Sequence, residues 1–562
     1  MALTMTTSPE RTTLMQEDLC FLGIARAAEL IRRRELSPTA LTDAFLARIE
    51  TFDPQLHAYL TVTAEHARRL AKEAESEIMR GKYRGALHGI PFALKDNFDT
   101  AGIRTTAQSR LLEDNVPQCD AHVVRKLYAA GAVLLGKTTT HEFAHGGPSF
   151  DLPWPPARNP WNTLHFTGGS SSGSAAAVAA GLTMCALGSD TGGSVRSPSW
   201  FCGTVGLKPT FGLIGRTGLV PFSSSCDHVG PMTWNVEDCA LLLEAIAGPD
   251  PHDSGSACFT LPPIRERFTS DLRGMKLGVV RHFWEEDLDV SAELARATDA
   301  AIEVLRALGA AVETVRLRPL HEYYAVRLML TESELYALHQ PQLRERVQDY
   351  GRHFLSRCLP ACLYTAADYI WAQRQRLRIL DEMQSVYSKY DALVTVGAGS
   401  APGLQAHKQI GGADKFLRPG MGTLFSVTGA PALALCCGYG ATGLPLGFQI
   451  AGRPFEDATV LRIGHAYERA TPWRERRPRL RHGDSAPHVD PGSDDDIRIT
   501  LDDATRAMVE TMAYRAGLTL PPAQLALLLE TAPYALELVQ RIRRDLPWTA
   551  GQAATFRMGV VS

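Results

Sequence analysis

Net charge of either sign is nearly missing from this sequence: 58 Lys and Arg stand against 61 Asp and Glu, a formal balance of −3. Nothing in that balance attracts a polyanion, so neither nucleic acid nor an anionic membrane surface is expected as a partner. No basic patch with interleaved aromatics stands out. Long apolar runs are missing too. The longest, such as "AAAVAAGLTMCALG", are short and made largely of small residues, which argues against a membrane span. Residues 1–16 are polar with no apolar centre, so no secretory leader is expected there. The eleven cysteines contain no C-x-x-C pair. The nearest arrangements are Cys358 with Cys362 and the adjacent Cys436 and Cys437. Neither a disulfide framework nor a zinc site follows. The thiols are expected to be reduced and mostly buried in a cytoplasmic protein. No internal repeat is found.

What remains is a globular composition, 45% hydrophobic and 21% charged over 562 residues, enough for one very large domain or several ordinary ones. Residues 18–80 read as helical, and "ELSPTAL" supplies a Ser37 N-cap with Pro38 at the first helical position. Then the texture changes. "GIPFALKDNFDT" reads as a strand ending in charge, "AHVVRKLYAAG" as a helix and "AGAVLLGKTTT" as a strand. The same alternation returns in "MKLGVVRHF", "SAELARATDAAIEVLRALGA" and "AVETVRL". It predicts a layered α/β domain with a largely covered sheet. Residues 321–390 read as mainly helical, and "ALVTVGAGSAP" and "PALALCCGYGATGLPLGFQIAG" as strands and turns. The expected division is a flexible N-terminus over 1–15, a main domain over 16–480, a Pro/Gly/Ser/Asp-rich linker over 481–500 and a small helical unit over 501–562. That unit is too small to be stable without packing on its neighbour.

Several motifs compete for the chemistry. His141-Glu142-Phe143-Ala144-His145 matches H-E-x-x-H, with His165 downstream as a third zinc ligand. The pattern needs a continuing helix, however, and "GGPSFDLPWPP" follows at once, so no metal is expected. Gly169 to Gly173 fits G-x-S-x-G with Ser171 as nucleophile, although nothing marks His228 or any other histidine as its base. No phosphate-binding G-x-x-x-x-G-K-[ST] is present. A further constellation joins Lys95, at the end of "GIPFAL", to the serine-rich stretches "TGGSSSGSAAAVAAG" and "GSDTGGSVRSPS". A desolvated lysine gives up its proton more easily and serves as a base for a serine hydroxyl. "DTGGS" offers a serine preceded by residues without bulk, whose N–H groups suit an oxyanion hole. The plainer account of Lys95 alone is a salt bridge to Asp96 or Asp99.

The stretch "GGSSSGSAAAVAAGLTMCALGSDTGGSVRSPSWFCGTVGLKPTFG" resembles the signature block of the amidase signature family, and "GIPFALKDNFDTAG" resembles its catalytic-lysine segment. "HEFAHGG", "RNPWN", "DHVGPM" and "GLPLGFQIAG" extend the likeness from about residue 36 to 475. The resemblance implies an amidase signature fold, a large central mixed β-sheet covered by helices on both faces, with the small C-terminal helical appendage added. It implies a Ser–Ser–Lys triad: Lys95 as base, Ser170 as proton bridge after a cis Gly169–Ser170 peptide, and Ser194 as nucleophile. The N–H groups of Thr191, Gly192, Gly193 and Ser194 would form the oxyanion hole. Ser171, Asp190 and Arg196 would hold these loops, Glu142 would be structural, and Phe143, Ala144 and Gly146 would touch substrate. Two departures, "HFTGG" without a preceding proline and "ALVTVGAGSAP" without Thr-Pro, fall near the expected pocket. The activity implied is hydrolysis of the C–N bond of a small aryl or acyl amide, with carbamates and urethanes within reach of the same acyl chemistry. The alternative is a glutamine-hydrolysing amidotransferase A-type subunit that delivers ammonia to a partner, and the helical tail faintly resembles the companion subunits of such complexes. The partners expected are a small-molecule amide, no nucleic acid, no membrane and at most a second copy in a homodimer. No cofactor is expected. A catalytically dead binding fold is disfavoured because all three triad positions are present.

Overall fold

The computed structural model describes residues 19–407, 418–489 and 501–546. The expected flexible segment 1–15, residues 490–500 of the expected linker and residues 547–562 lie outside the described residues.

One mixed sheet of eleven strands organises the molecule. Across it run Tyr59–Val62, Val133–Thr138, Pro91–Lys95, Cys185–Asp190, His228–Thr233, Val205–Lys208, Ala432–Tyr439, Pro445–Gly452, Ala392–Val396, Lys276–Val279 and Ala311–Thr314. Pro91–Lys95 lies parallel to both Val133–Thr138 and Cys185–Asp190, whereas His228–Thr233 runs antiparallel to Cys185–Asp190. Every residue of Pro91–Lys95 and Cys185–Asp190 is buried, as near-continuous apolar strands inside a covered sheet should be. Tyr59–Val62 departs from the helical reading of residues 18–80. It is a four-residue strand between two helices, paired antiparallel with Val133–Thr138 at the edge of the sheet. Four residues are too few to break a helical pattern visibly in the sequence.

Helices flank the sheet. Pro38–Leu56 starts as predicted: Ser37 accepts the Ala40 N–H at 3.1 Å and Pro38 occupies the first turn. The alanine run forms Ser172–Ala179, all of whose residues are buried. A helix surrounded on all sides has to be built of small residues, and Gly173 shows the limit: a Cβ there would lie 2.2 Å from the Ala58 carbonyl oxygen. The region 321–390 folds as Leu320–Glu345, Arg352–Cys358 and Ala366–Tyr387. The tail forms Asp503–Arg515 and Pro522–Arg541. Val509, Ala513, Leu527, Leu528 and Ala532 of these helices share one apolar cluster with Phe143, Leu335, Leu343, Tyr350, Phe354 and Leu359. Arg344 donates to the Ala516 carbonyl and Arg544 to Asp368, which adds polar ties between tail and body. Among the described residues no helix is long and apolar enough to cross a membrane.

Candidate active site

Two adjacent parallel strands end side by side, Pro91–Lys95 with Lys95 as its last residue and Cys185–Asp190 with Asp190 as its last. Sites in α/β sheets gather at such carboxyl ends. Lys95 is fully buried. Its Nζ donates to Ser170 Oγ at 2.7 Å and to Ser189 Oγ at 2.8 Å, and Asn97 Nδ2 also reaches Ser189 Oγ at 3.0 Å. Burial pushes the Lys95 ammonium down to about 7, against the more distant charges of Asp190 and Asp227. The salt bridge to Asp96 is not formed: Asp96 faces Lys137 Nζ at 3.3 Å and accepts from the N–H and hydroxyl of Thr106.

Ser170 follows a cis Gly169–Ser170 peptide. A side chain on Gly169 would run into the His141 ring, 2.1 Å from the nearest ring atom. The Ser171 N–H donates to the Ser194 carbonyl at 3.1 Å, which draws the two serine clusters together. Ser171 Oγ donates to the Ser189 carbonyl at 3.3 Å, and Ser172 Oγ to the Thr139 carbonyl at 3.2 Å. Ser194 is half-buried in the turn between Cys185–Asp190 and the helix Arg196–Cys202.

Asp190 and Arg196 hold that turn from behind. The Asp190 carboxylate accepts from Arg196 Nε and Nη2, both at 3.0 Å, from the Gly193 N–H at 2.8 Å and from the Val195 N–H at 3.2 Å. Burial alone would raise its pKa; the Arg196 charge and hydrogen bonds outweigh that and hold the carboxyl well below the usual range. Arg196 extends the brace to Gln449 Oε1 at 3.2 Å and Ser426 Oγ at 2.9 Å. Because Gly193 spends its N–H on Asp190, the expected set of four oxyanion donors contracts. Thr191, Gly192 and Ser194 have N–H groups with no acceptor among the described residues.

The H-E-x-x-H segment is not a helix with two histidines on one face. It is the three-residue turn Glu142–Ala144, with Phe143 and Ala144 at positive φ. The Glu142 carboxylate accepts from Ser109 Oγ at 2.7 Å and the Gly351 N–H at 2.8 Å; burial pushes it up to about 8 against those bonds. His145 Nε2 faces the buried Glu332 at 2.9 Å. The His141 N–H donates to the Ser170 carbonyl at 3.2 Å, so the segment starts beside the proposed bridge. Phe143 places its ring against His339, Phe354 and Tyr350 at 4.4, 5.6 and 6.0 Å. Gly146 lies against the His353 carbonyl, which a Cβ would approach to 2.9 Å. These contacts make the segment part of a wall shared with Leu320–Glu345 and Arg352–Cys358. His165 lies apart from it, bonded through Nδ1 to the Ala401 carbonyl at 2.7 Å.

Sequence reasoning missed Ser189, Asn97 and Asp227. Asp227 accepts from Thr191 Oγ at 2.5 Å and from the N–H groups of Phe222 and Ser223. The alternation of Cys185–Asp190 carried a usable signal, since Ser189 is a polar residue in a buried strand next to Lys95.

The family model "Amidase" matches residues 40–461. The A-type subunit of glutamyl-tRNA(Gln) amidotransferase from Moorella thermoacetica is 40% identical over 486 residues, covering 82% of this chain and 99% of that protein. The crystal structure of the corresponding subunit from Thermotoga maritima superposes with a TM-score of 0.69 at 32% identity, covering 81% of this chain and 96% of that one. A bacterial aryl acylamidase of the amidase signature family superposes with a TM-score of 0.75 at 26% identity, covering 81% and 97%. The helices Asp503–Arg515 and Pro522–Arg541 lie beyond the matched residues. These likenesses overturn the expected partners. The relatives are named for a tRNA-linked reaction and as one subunit of an assembly, so a chain without nucleic acid, acting alone or as a homodimer, is the wrong expectation. Its physical basis is too narrow: a net charge of −3 bounds only direct phosphate binding by this chain, not the reaction of an assembly.

Proposed function

The chain belongs to the amidase signature family and is a C–N bond amidohydrolase; from that premise we propose that it releases ammonia from the carboxamide of glutamine, as an amidotransferase A-type subunit, through Lys95, Ser170 and Ser194. The observation that carries the reading is the buried Lys95, free of any bonded carboxylate, brought down to about 7 and bonded to Ser170 Oγ at 2.7 Å. A lysine in that state is a base at neutral pH.

With Lys95 neutral, the Ser170 hydroxyl passes its proton to Nζ and takes the proton of Ser194 Oγ as that oxygen bonds to the amide carbon. The carbonyl oxygen becomes an oxyanion against the N–H groups of Thr191, Gly192 and Ser194. Donors fixed before the reaction, in a site without bulk water, stabilise such a charge strongly, each worth about 10²–10³ in turnover. Collapse breaks the C–N bond, and the proton held on Lys95 returns through Ser170 to the leaving nitrogen. Water then hydrolyses the Ser194 ester by the same relay. Ser189 and Asn97 fix where Nζ points; Asp190 and Arg196 fix the turn that carries Ser194.

The test is ammonia release by the purified full-length chain from glutamine, compared with hydrolysis of a p-nitroanilide. Glutamine is expected to give the higher kcat/KM, with the activity lost in Ser194→Ala. The reverse preference would favour an acyl-amide hydrolase, the reading supported by the higher TM-score to the aryl acylamidase, 0.75 against 0.69.

A further inference from the structure

The helix Leu320–Glu345 brings an arginine to the turn that carries Ser194. A Cβ on Gly192 would lie 2.7 Å from Arg327 Nη1 and 3.0 Å from its Cζ, so the guanidinium rests against the peptide two residues before Ser194. Arg327 is only 8% exposed. It lies over the Tyr324 ring at 5.1 Å, and its Nε has no hydrogen-bond partner. No ion pair among the described residues includes it, and the shortest contacts of the neighbouring acidic side chains go to other groups. Asp190 is held by Arg196, and Asp227 by Thr191, Phe222 and Ser223. Glu332 faces His145 Nε2 at 2.9 Å, with no hydrogen-bond partner for either of its oxygens, and Glu334 accepts from Ser223, Ser225 and Tyr369.

A guanidinium cannot shed its charge on burial as Lys95 does, because its proton is held too tightly. Charges out of water are ordinarily paired. This one is largely buried and in no ion pair, and the N–H of Gly192, against which it rests, likewise has no acceptor among the described residues. Its planar fork matches a carboxylate.

We propose that Arg327 is a specificity-determining residue that receives a carboxylate of the substrate, which makes the substrate class short primary carboxamides bearing an ionised carboxylate a few bonds from the scissile amide. The proposal rests on the amide-hydrolase reading of Ser194 and narrows it: the acyl half of the substrate is an anion, and its charge completes a pair that the fold leaves open.

The test uses the full-length chain and matched pairs of amides that differ only in charge: malonamate with propionamide, succinamate with butyramide, glutaramate with valeramide. Ammonia release gives kcat and KM for each. At least one carboxylate member is expected to exceed its neutral match in kcat/KM by about 10- to 100-fold, the scale of a charge-assisted hydrogen bond. In Arg327→Gln that ratio falls to within about threefold, mainly through KM of the anionic member, while Arg327→Lys keeps part of it. No preference in any pair for the unmodified protein overturns the proposal without needing a variant. So does a parallel fall of both members in Arg327→Gln with the ratio intact, which would place the guanidinium at the oxyanion or in the packing instead. Failure of the underlying reading looks different: no member of either series releases ammonia, and the proposal falls with it.

Discussion

Lys95 and Asp190 sit at the ends of neighbouring strands, both fully buried, and burial acts on them in opposite directions. Lys95 has hydroxyls for partners and gives up charge; Asp190 has Arg196 and keeps it. The pH dependence follows from the first. Between about 7 and the ordinary 10.5, the unfolded chain carries a proton at Lys95 that the folded chain lacks, so this group's contribution to stability grows as pH rises through that window and is unfavourable below it. Activity has the same sign, since the relay needs the neutral amine: log kcat/KM is expected to rise with pH and level off above about 7. A profile flat from pH 5 to 9 would remove Lys95 as the base. Substitution discriminates the serines as well. Ser194→Ala and Lys95→Ala are each expected to lower kcat by about 10⁴-fold or more with the fold retained, whereas Ser171→Ala, which loses one bond to a backbone carbonyl, leaves most of the activity. Equal small losses in all three, with circular dichroism unchanged, would reject the assignment of roles.

At the scale of elements, the serine-rich turn is held by a carboxylate, not by its own composition. Asp190 ends a strand, Arg196 starts a helix, and their pair binds the Gly193 and Val195 N–H groups between them while Arg196 reaches Gln449 on Pro445–Gly452. Asp190→Asn keeps the shape and removes the charge, leaving Arg196 buried and uncompensated. A loss of about 3–5 kcal/mol in denaturant unfolding is expected, with a fall in kcat larger than the rise in KM because the donors around Ser194 lose their anchor. A variant as stable as the parent would show the pair to be replaceable. This is also where the limits of the sequence are visible. "GIPFALK" and "AAAVAAG" declare a buried strand and a crowded helix by their residues alone. The edge strand Tyr59–Val62 is too short to stand out between helices. Gly193 groups with the oxyanion donors in the sequence because a glycine's place in a motif does not reveal which acceptor its N–H finds. Arg327 is illegible for a different reason: its position against Gly192 arises from tertiary packing across more than a hundred residues, with no local pattern to announce it.

For the molecule as a whole, the question is what the two tail helices do for a site they do not enter. They lie beyond residues 40–461, yet they continue one apolar cluster into the wall that contains Phe143, Tyr350 and Phe354. That wall begins at His141, whose N–H bonds the Ser170 carbonyl, and includes Leu320–Glu345, which carries Arg327. Lys95, Ser170 and Ser194, the proposed triad, stand on the opposite foundation, the central strands and the turns that follow them. A fault in the tail should therefore loosen the proposed substrate wall and leave the chemistry in place. Leu528, buried without exposure in Pro522–Arg541, is the position to use. Leu528→Ala is expected to cost about 2–5 kcal/mol in the tail and its contact layer, since truncation of a packed leucine leaves a cavity. In kinetics it should raise KM several-fold with kcat nearly constant, the mark of weakened binding common to ground and transition states. Hydrogen exchange should rise first in Pro522–Arg541 and Arg352–Cys358 and not in Pro91–Lys95 or Cys185–Asp190. If stability falls as expected while KM stays fixed, the tail is an attachment to the enzyme; if KM rises with the exchange pattern described, it is the outer half of the substrate wall.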